Sequence, residues 1–166
     1  MPTDAAPLIE MTSQVRVETL RLLDAAREDW LTWAPPGTSN HMLWHAGHAL
    51  WVGDALCIES ITGRNELPAG WAEKFGMGCV PVATTREWPS REELKRLLMA
   101  QWIRMEELLT ALSADRLNDP RPVLDDRSLV SSIVHGLHDE AKHQGEMYLL
   151  LKMSRGRDAA GITPGT

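Results

Sequence analysis

Cysteine is scarce in this chain, and so are two of the three aromatic residues. The two cysteines, Cys57 and Cys79, form no C-x-x-C pair and no zinc-ribbon spacing. A thiolate metal knuckle is thereby excluded, and a reducing, cytoplasmic setting is the expectation. No apolar run is long enough to span a bilayer, so no membrane partner is expected. The segment Met1 to Pro7 lacks the basic start and apolar run of a secretory signal. Basic stretches are missing too. The net charge is −6, and with no cationic run to displace counterions a nucleic-acid partner is not expected. A small-molecule substrate stays open. There is no convincing strand alternation, internal repeat, Ser-His-Asp set, P-loop or dinucleotide fingerprint.

What is present is helical periodicity in a chain of 166 residues, 43% of them hydrophobic, which suits one domain over residues 1–166 with a real core. A first segment runs from about Pro7 to Trp33 and stops before Pro35-Pro36-Gly37. Ser39 or Asn40 offers an N-cap for a second helix, His41 to about Thr62, with Gly63 as its C-terminal stop. Residues 64–88 are irregular and carry Pro68, Gly70, Gly76, Gly78, Pro81, Thr84 and Thr85. Trp71, Phe75 and Trp88 within them suggest that this long connection folds back over something. Ser90 and Glu93 match a capping box for a third helix, which reaches about Ala111 with Leu94, Leu98, Met105 and Leu109 on its apolar stripe. A fourth helix is expected from Ser128 to about Met153, and the tail, about 155–166, is expected to fray. The expected fold is all-α: a four-helix bundle with a long irregular connection between helices 2 and 3. Seven tryptophans in a small bundle suggest that some lie on an outer face, which a homodimer would bury.

All six histidines fall in two short segments: His41, His45 and His48 on helix 2, and His135, His138 and His143 on helix 4. On helix 2 at 100° per residue, His45 lies about 60° and His41 about 20° from His48, so one side carries all three. Asp139 and His143 are four apart and share a face with His135 and Glu146. Two such faces meeting inside a bundle would bring ligands to one cation from several sides. The plainer readings are core histidines bonded to carbonyls, a surface Asp139–His143 pair worth a few tenths of a kcal/mol, and a surface His138. Glu92-Glu93 and Glu106-Glu107 read as solvated faces.

Trp44-His-Ala-Gly47-His48-Ala-Leu-Trp51 and Asp139-Glu-Ala-Lys-His143-Gln-Gly145-Glu146 resemble the two motifs of the DinB/YfiT-like family of metal-dependent helical bundles. The order of the motifs and the long connection fit over nearly the whole chain. The resemblance implies a metal site at His48, Asp139 and His143. Many members carry His where this chain has Asp139. The branch similar to mycothiol-dependent maleylpyruvate isomerases carries Glu, of which Asp139 is a shorter version. The resemblance implies a divalent metal, Zn or Ni first and Fe or Mn next, and a thiol-dependent transferase or isomerase with a low-molecular-weight thiol as cofactor. A metal-dependent hydrolase and a non-catalytic, stress-associated metal-binding protein are the alternatives. Two imidazoles and one carboxylate leave positions open on zinc, the catalytic pattern. Glu146 and His45 are the candidate acid/base groups, and both also suit hydrogen-bonding roles behind the ligands; Glu146 as a fourth ligand and His45 as the helix-2 ligand in place of His48 stay open. The cations that an acidic thiol would need are scattered: Arg86, Arg91, Arg121 and Arg127, the last best placed.

Overall fold

A computed structural model describes residues 5–79, 81, 87–119 and 128–162. Among the described residues there is no strand, and four long helices carry the fold: α1 (Ala6–Ala25), α2 (Met42–Gly53), α5 (Arg91–Ala111) and α6 (Leu129–Ala159). Two short helices, α3 (Glu59–Thr62) and α4 (Trp71–Phe75), lie between α2 and α5. α1 packs on α5 and α6, and α2 packs on the same two. α1 and α2 therefore face each other across a diagonal of the bundle. This is the all-α bundle that the periodicity implies.

The first helix stops at Ala25, not near Trp33. Ala26 turns extended, and Nη1 of Arg91 donates to the carbonyls of Leu23 and Ala26, at 3.5 and 2.5 Å. Side-chain donors thus satisfy carbonyls that a helix end leaves orphaned. Arg91 is thereby engaged in structure rather than free for a ligand.

α2 is buried on every side, with all residues from His41 to Leu50 inaccessible. Its N-cap is His41, not Ser39 or Asn40: the ring Nδ1 accepts from the Trp44 amide at 3.3 Å. A five-residue π-helical stretch, Asp54–Ile58, joins α2 to α3. Buried Asp54 accepts from the Glu66 amide at 3.1 Å and so ties the following connection to the helix. Gly63 closes α3 at φ 80°, as a C-terminal glycine should.

The connection is less irregular than its composition implies, because Trp71–Phe75 forms α4. Phe75 is fully buried, and its ring occupies the space that a side chain at Gly47 would need. Nε1 of Trp71 donates to the Gly47 carbonyl at 3.0 Å. Trp88 meets the His41 ring edge-on, with centroids 4.4 Å apart. The connection therefore does fold back, and it covers the histidine-bearing helix. Thr84 and Thr85 lie outside the described residues.

α5 starts at Ser90, whose hydroxyl accepts from the Glu93 amide at 3.1 Å. The carboxylate of Glu93 bonds Arg96. Below the histidines runs a buried polar strut. Arg16 of α1 pairs with Glu140 of α6 at 3.1 Å and donates to Gln101 of α5, which donates to the Leu50 carbonyl of α2. It links all four long helices and sets the register of α6 one residue from Asp139.

α6 continues past Met153 to Ala159, which corrects the expected fraying of the tail from about 155. Asp158 accepts from Arg27 and from Nε1 of Trp30, and the Arg157 guanidinium lies 4.8 Å from the Trp33 ring centre. Contacts with the α1–α2 connection thus hold a segment whose composition reads as loose. Three of the seven tryptophans, Trp30, Trp44 and Trp71, are buried, and the other four are half-buried. No helix among the described residues is long and apolar enough to cross a membrane.

Candidate metal centre

α2 and α6 pack face to face and bring together His45, His48, Asp139, His143 and Glu146. His41 is buried at the helix cap, and His135 and His138 belong to neither group of converging ligand atoms. Six clustered histidines in sequence thus become three at one locus. His41 is too early on α2, and His138 points to solvent.

Nδ1 of His48 lies 2.6 Å from the carbonyl oxygen of Phe75. A carbonyl can only accept, so this nitrogen carries the proton. In the neutral ring Nε2 then presents a lone pair, and it lies 3.4 Å from Oδ2 of Asp139. Nε2 of His143 lies 3.4 Å from the same oxygen. These separations exceed ordinary hydrogen bonds, and Asp139 Oδ2 is buried with no hydrogen-bond partner. Three donors around a divalent cation at roughly 2.1 Å would stand about 3.4 Å apart in a tetrahedral arrangement. The orphaned oxygen and the fixed lone pair fit that group. A carboxylate of ordinary pKa, about 4, is ionised at neutral pH, so Asp139 offers an anionic ligand.

The other edge of His143 is also engaged. Its Nδ1 lies 2.8 Å from Nδ1 of His45 and 3.3 Å from Oε2 of Glu146, and His45 lies 3.2 Å from the same carboxylate. Burial, reinforced by the neighbouring His143, pushes the His45 pKa down to about 3, so His45 is neutral and can accept the His143 proton. A ligand imidazole that donates its far N–H to an acceptor is fixed in tautomer and ring angle. Trp44 stacks on His48 at 4.7 Å, and its Nε1 lies 2.9 Å from the sulfur of Cys79. Both rings are therefore held before any ligand arrives.

The sequence model of the DinB superfamily matches residues 11–147. The chain belongs to the DinB superfamily. A DinB-like protein from Bacillus subtilis, YjoA, has a similar solved structure, with a TM-score of 0.65 and 14% identity over 89% of this chain and 92% of that one. At that identity the likeness concerns the fold. No curated protein matches. Two groups in this DinB-superfamily bundle could hold a metal ion, His48–Asp139–His143 and His45–His143–Glu146, and they share His143.

Sequence reasoning missed the Phe75 carbonyl, a backbone atom distant in the chain. Its signal was indirect: a small-residue stretch, Ala46-Gly47, inside the Trp-rich second helix, together with an aromatic-bearing connection after it. Arg86, Arg121 and Arg127 lie outside the described residues.

Proposed function

We propose that this protein is a divalent-metal-dependent enzyme acting on a small molecule, with His48, Asp139 and His143 as the metal ligands. The observation that carries the reading is the His48 lone pair aimed, with His143, at the buried and unpartnered Oδ2 of Asp139. Two imidazoles and one carboxylate suit zinc, nickel, iron or manganese alike, and zinc or nickel is the ion proposed first. Three protein ligands leave open positions, as catalytic rather than structural centres do. When bound there, the cation would polarise a carbonyl or stabilise a thiolate from a low-molecular-weight thiol. A thiol-dependent transferase or isomerase is the activity class that follows.

The surrounding residues have distinct tasks. Phe75 and Trp44 hold His48 against rotation. His45 and Glu146 orient His143 through its Nδ1 edge. Glu146, the exposed member of the cluster, is placed to exchange a proton with a bound substrate.

Protein purified without a His tag or a chelating column should carry about one metal equivalent per chain. His48→Ala, Asp139→Ala and His143→Ala should each lose it while keeping helical circular dichroism. Added zinc should raise the melting temperature of wild type alone. Equal metal content in wild type and His143→Ala would sink the reading.

A further inference from the structure

A cavity of about 590 Å³ lies beside the centre, between the α1–α2 connection and the later turns of α6. Pro36 and Asn40 form one wall, Leu150 and Met153 the other, and His45 and Glu146 its polar end. Those last two are the groups on the Nδ1 edge of His143, so the cavity adjoins the centre at that edge, while His48, Asp139 and His143 themselves do not line it. The connection is braced: the amide and hydroxyl of Thr38 both bond the Pro35 carbonyl, at 3.0 and 2.9 Å. The volume suits a small organic molecule.

The lining carries one formal charge among the described residues, the Glu146 carboxylate, and no lysine or arginine. A divalent cation held by His48, Asp139 and His143 would bring its sum with Asp139 and Glu146 from −2 to zero, so the exclusion of anions is strongest in the metal-free protein, and no net positive charge arises when metal is bound. We infer that the cavity takes an uncharged or cationic small molecule with an apolar body, and disfavours carboxylates and phosphates. This rests on reading the adjoining cluster as the reactive centre. An entering anion would shed water, face Glu146 and find no fixed cation among the residues that line the cavity. An amine or alcohol would instead donate to Glu146, while its apolar part covers Leu150 and Met153.

Three probes of one shape separate the cases: benzylamine, benzyl alcohol and benzoate. Binding is read from the methyl carbon of Met153 by NMR, assigned with Met153→Leu, without zinc and with it. Benzylamine and benzyl alcohol should move that resonance. Benzoate should bind at least about tenfold more weakly than benzylamine, a modest ratio for one unit charge near contact. Glu146→Gln should remove the advantage of the amine over the alcohol, and Glu146→Lys should favour benzoate over the amine. Benzoate binding as tightly as benzylamine in zinc-free wild type overturns the inference, as does a Met153 signal that no probe moves. The order of the probes should persist in His48→Ala, and its loss there would also overturn the assignment. A wild type that binds no zinc yet prefers the amine refutes the metal reading alone.

Discussion

Replacing Gly47 with alanine tests the contact on which the centre's geometry depends. In an ordinary helix interior, Gly→Ala stabilises by about 0.8–1 kcal/mol, because glycine gives up more backbone freedom on folding. At position 47 the added methyl would fall within the Phe75 ring, which is fully buried and has no free space to enter. Overpacking of this kind costs about 1–3 kcal/mol. The net expectation is a loss of roughly 0–2 kcal/mol, opposite in sign to the propensity effect. The same displacement moves the Phe75 carbonyl away from His48 Nδ1, from which it lies 2.6 Å. Loss of such an outer hydrogen bond weakens metal binding by about 10–100-fold. Gly156→Ala is the matched control, since a methyl there meets nothing within 4 Å. It should stabilise by about 0.5–1 kcal/mol and leave zinc affinity unchanged. Urea unfolding and zinc competition against a chromophoric chelator measure both quantities. A Gly47→Ala protein that gains stability like Gly156→Ala and binds zinc as wild type does would refute the coupling of Gly47, Phe75 and His48.

Two further predictions concern the frame and its response to acid. Arg16 and Glu140 are 1% and 2% exposed, so Glu140→Ala strands a buried guanidinium and should cost about 3–5 kcal/mol in urea unfolding. Arg16→Met with Glu140→Leu should recover most of that loss, and a single-variant cost below about 1 kcal/mol would contradict a buried pair. The second concerns pH. Burial pushes the His41 pKa from 6.5 down to about 4, so the unfolded chain takes up a proton at a pH where the folded one does not. Stability is therefore fully present above about pH 6.5 and falls as the pH drops toward 4, by on the order of 3 kcal/mol. Asp54, raised by burial to about 6, acts with the opposite sign below pH 6. His41→Asn keeps a capping acceptor without the titration and should remove its share of the loss, while buried His45, lowered to about 3, keeps its own. An unchanged pH slope would count against it.

The amino-acid sequence by itself determined the four long helices, the capping start at Ser90, the stop at Gly63 and the concentration of histidines on two faces. Each is local, set by spacing and by the conformational limits of single residues. Asp139 and His143 were legible as a pair because one helical turn separates them. The family motifs pointed to His48. Tertiary structure alone decided the rest, because it depends on contacts between distant segments. Arg91 ends α1 well before Trp33, and Arg27 and Trp30 hold α6 beyond Met153. Phe75, brought over Gly47 by a connection that looked irregular, fixes which nitrogen of His48 bears the proton. No pattern in the chain encodes that choice. A ring's tautomer is set by whatever atom lies opposite it, and here that atom is a carbonyl 27 residues away.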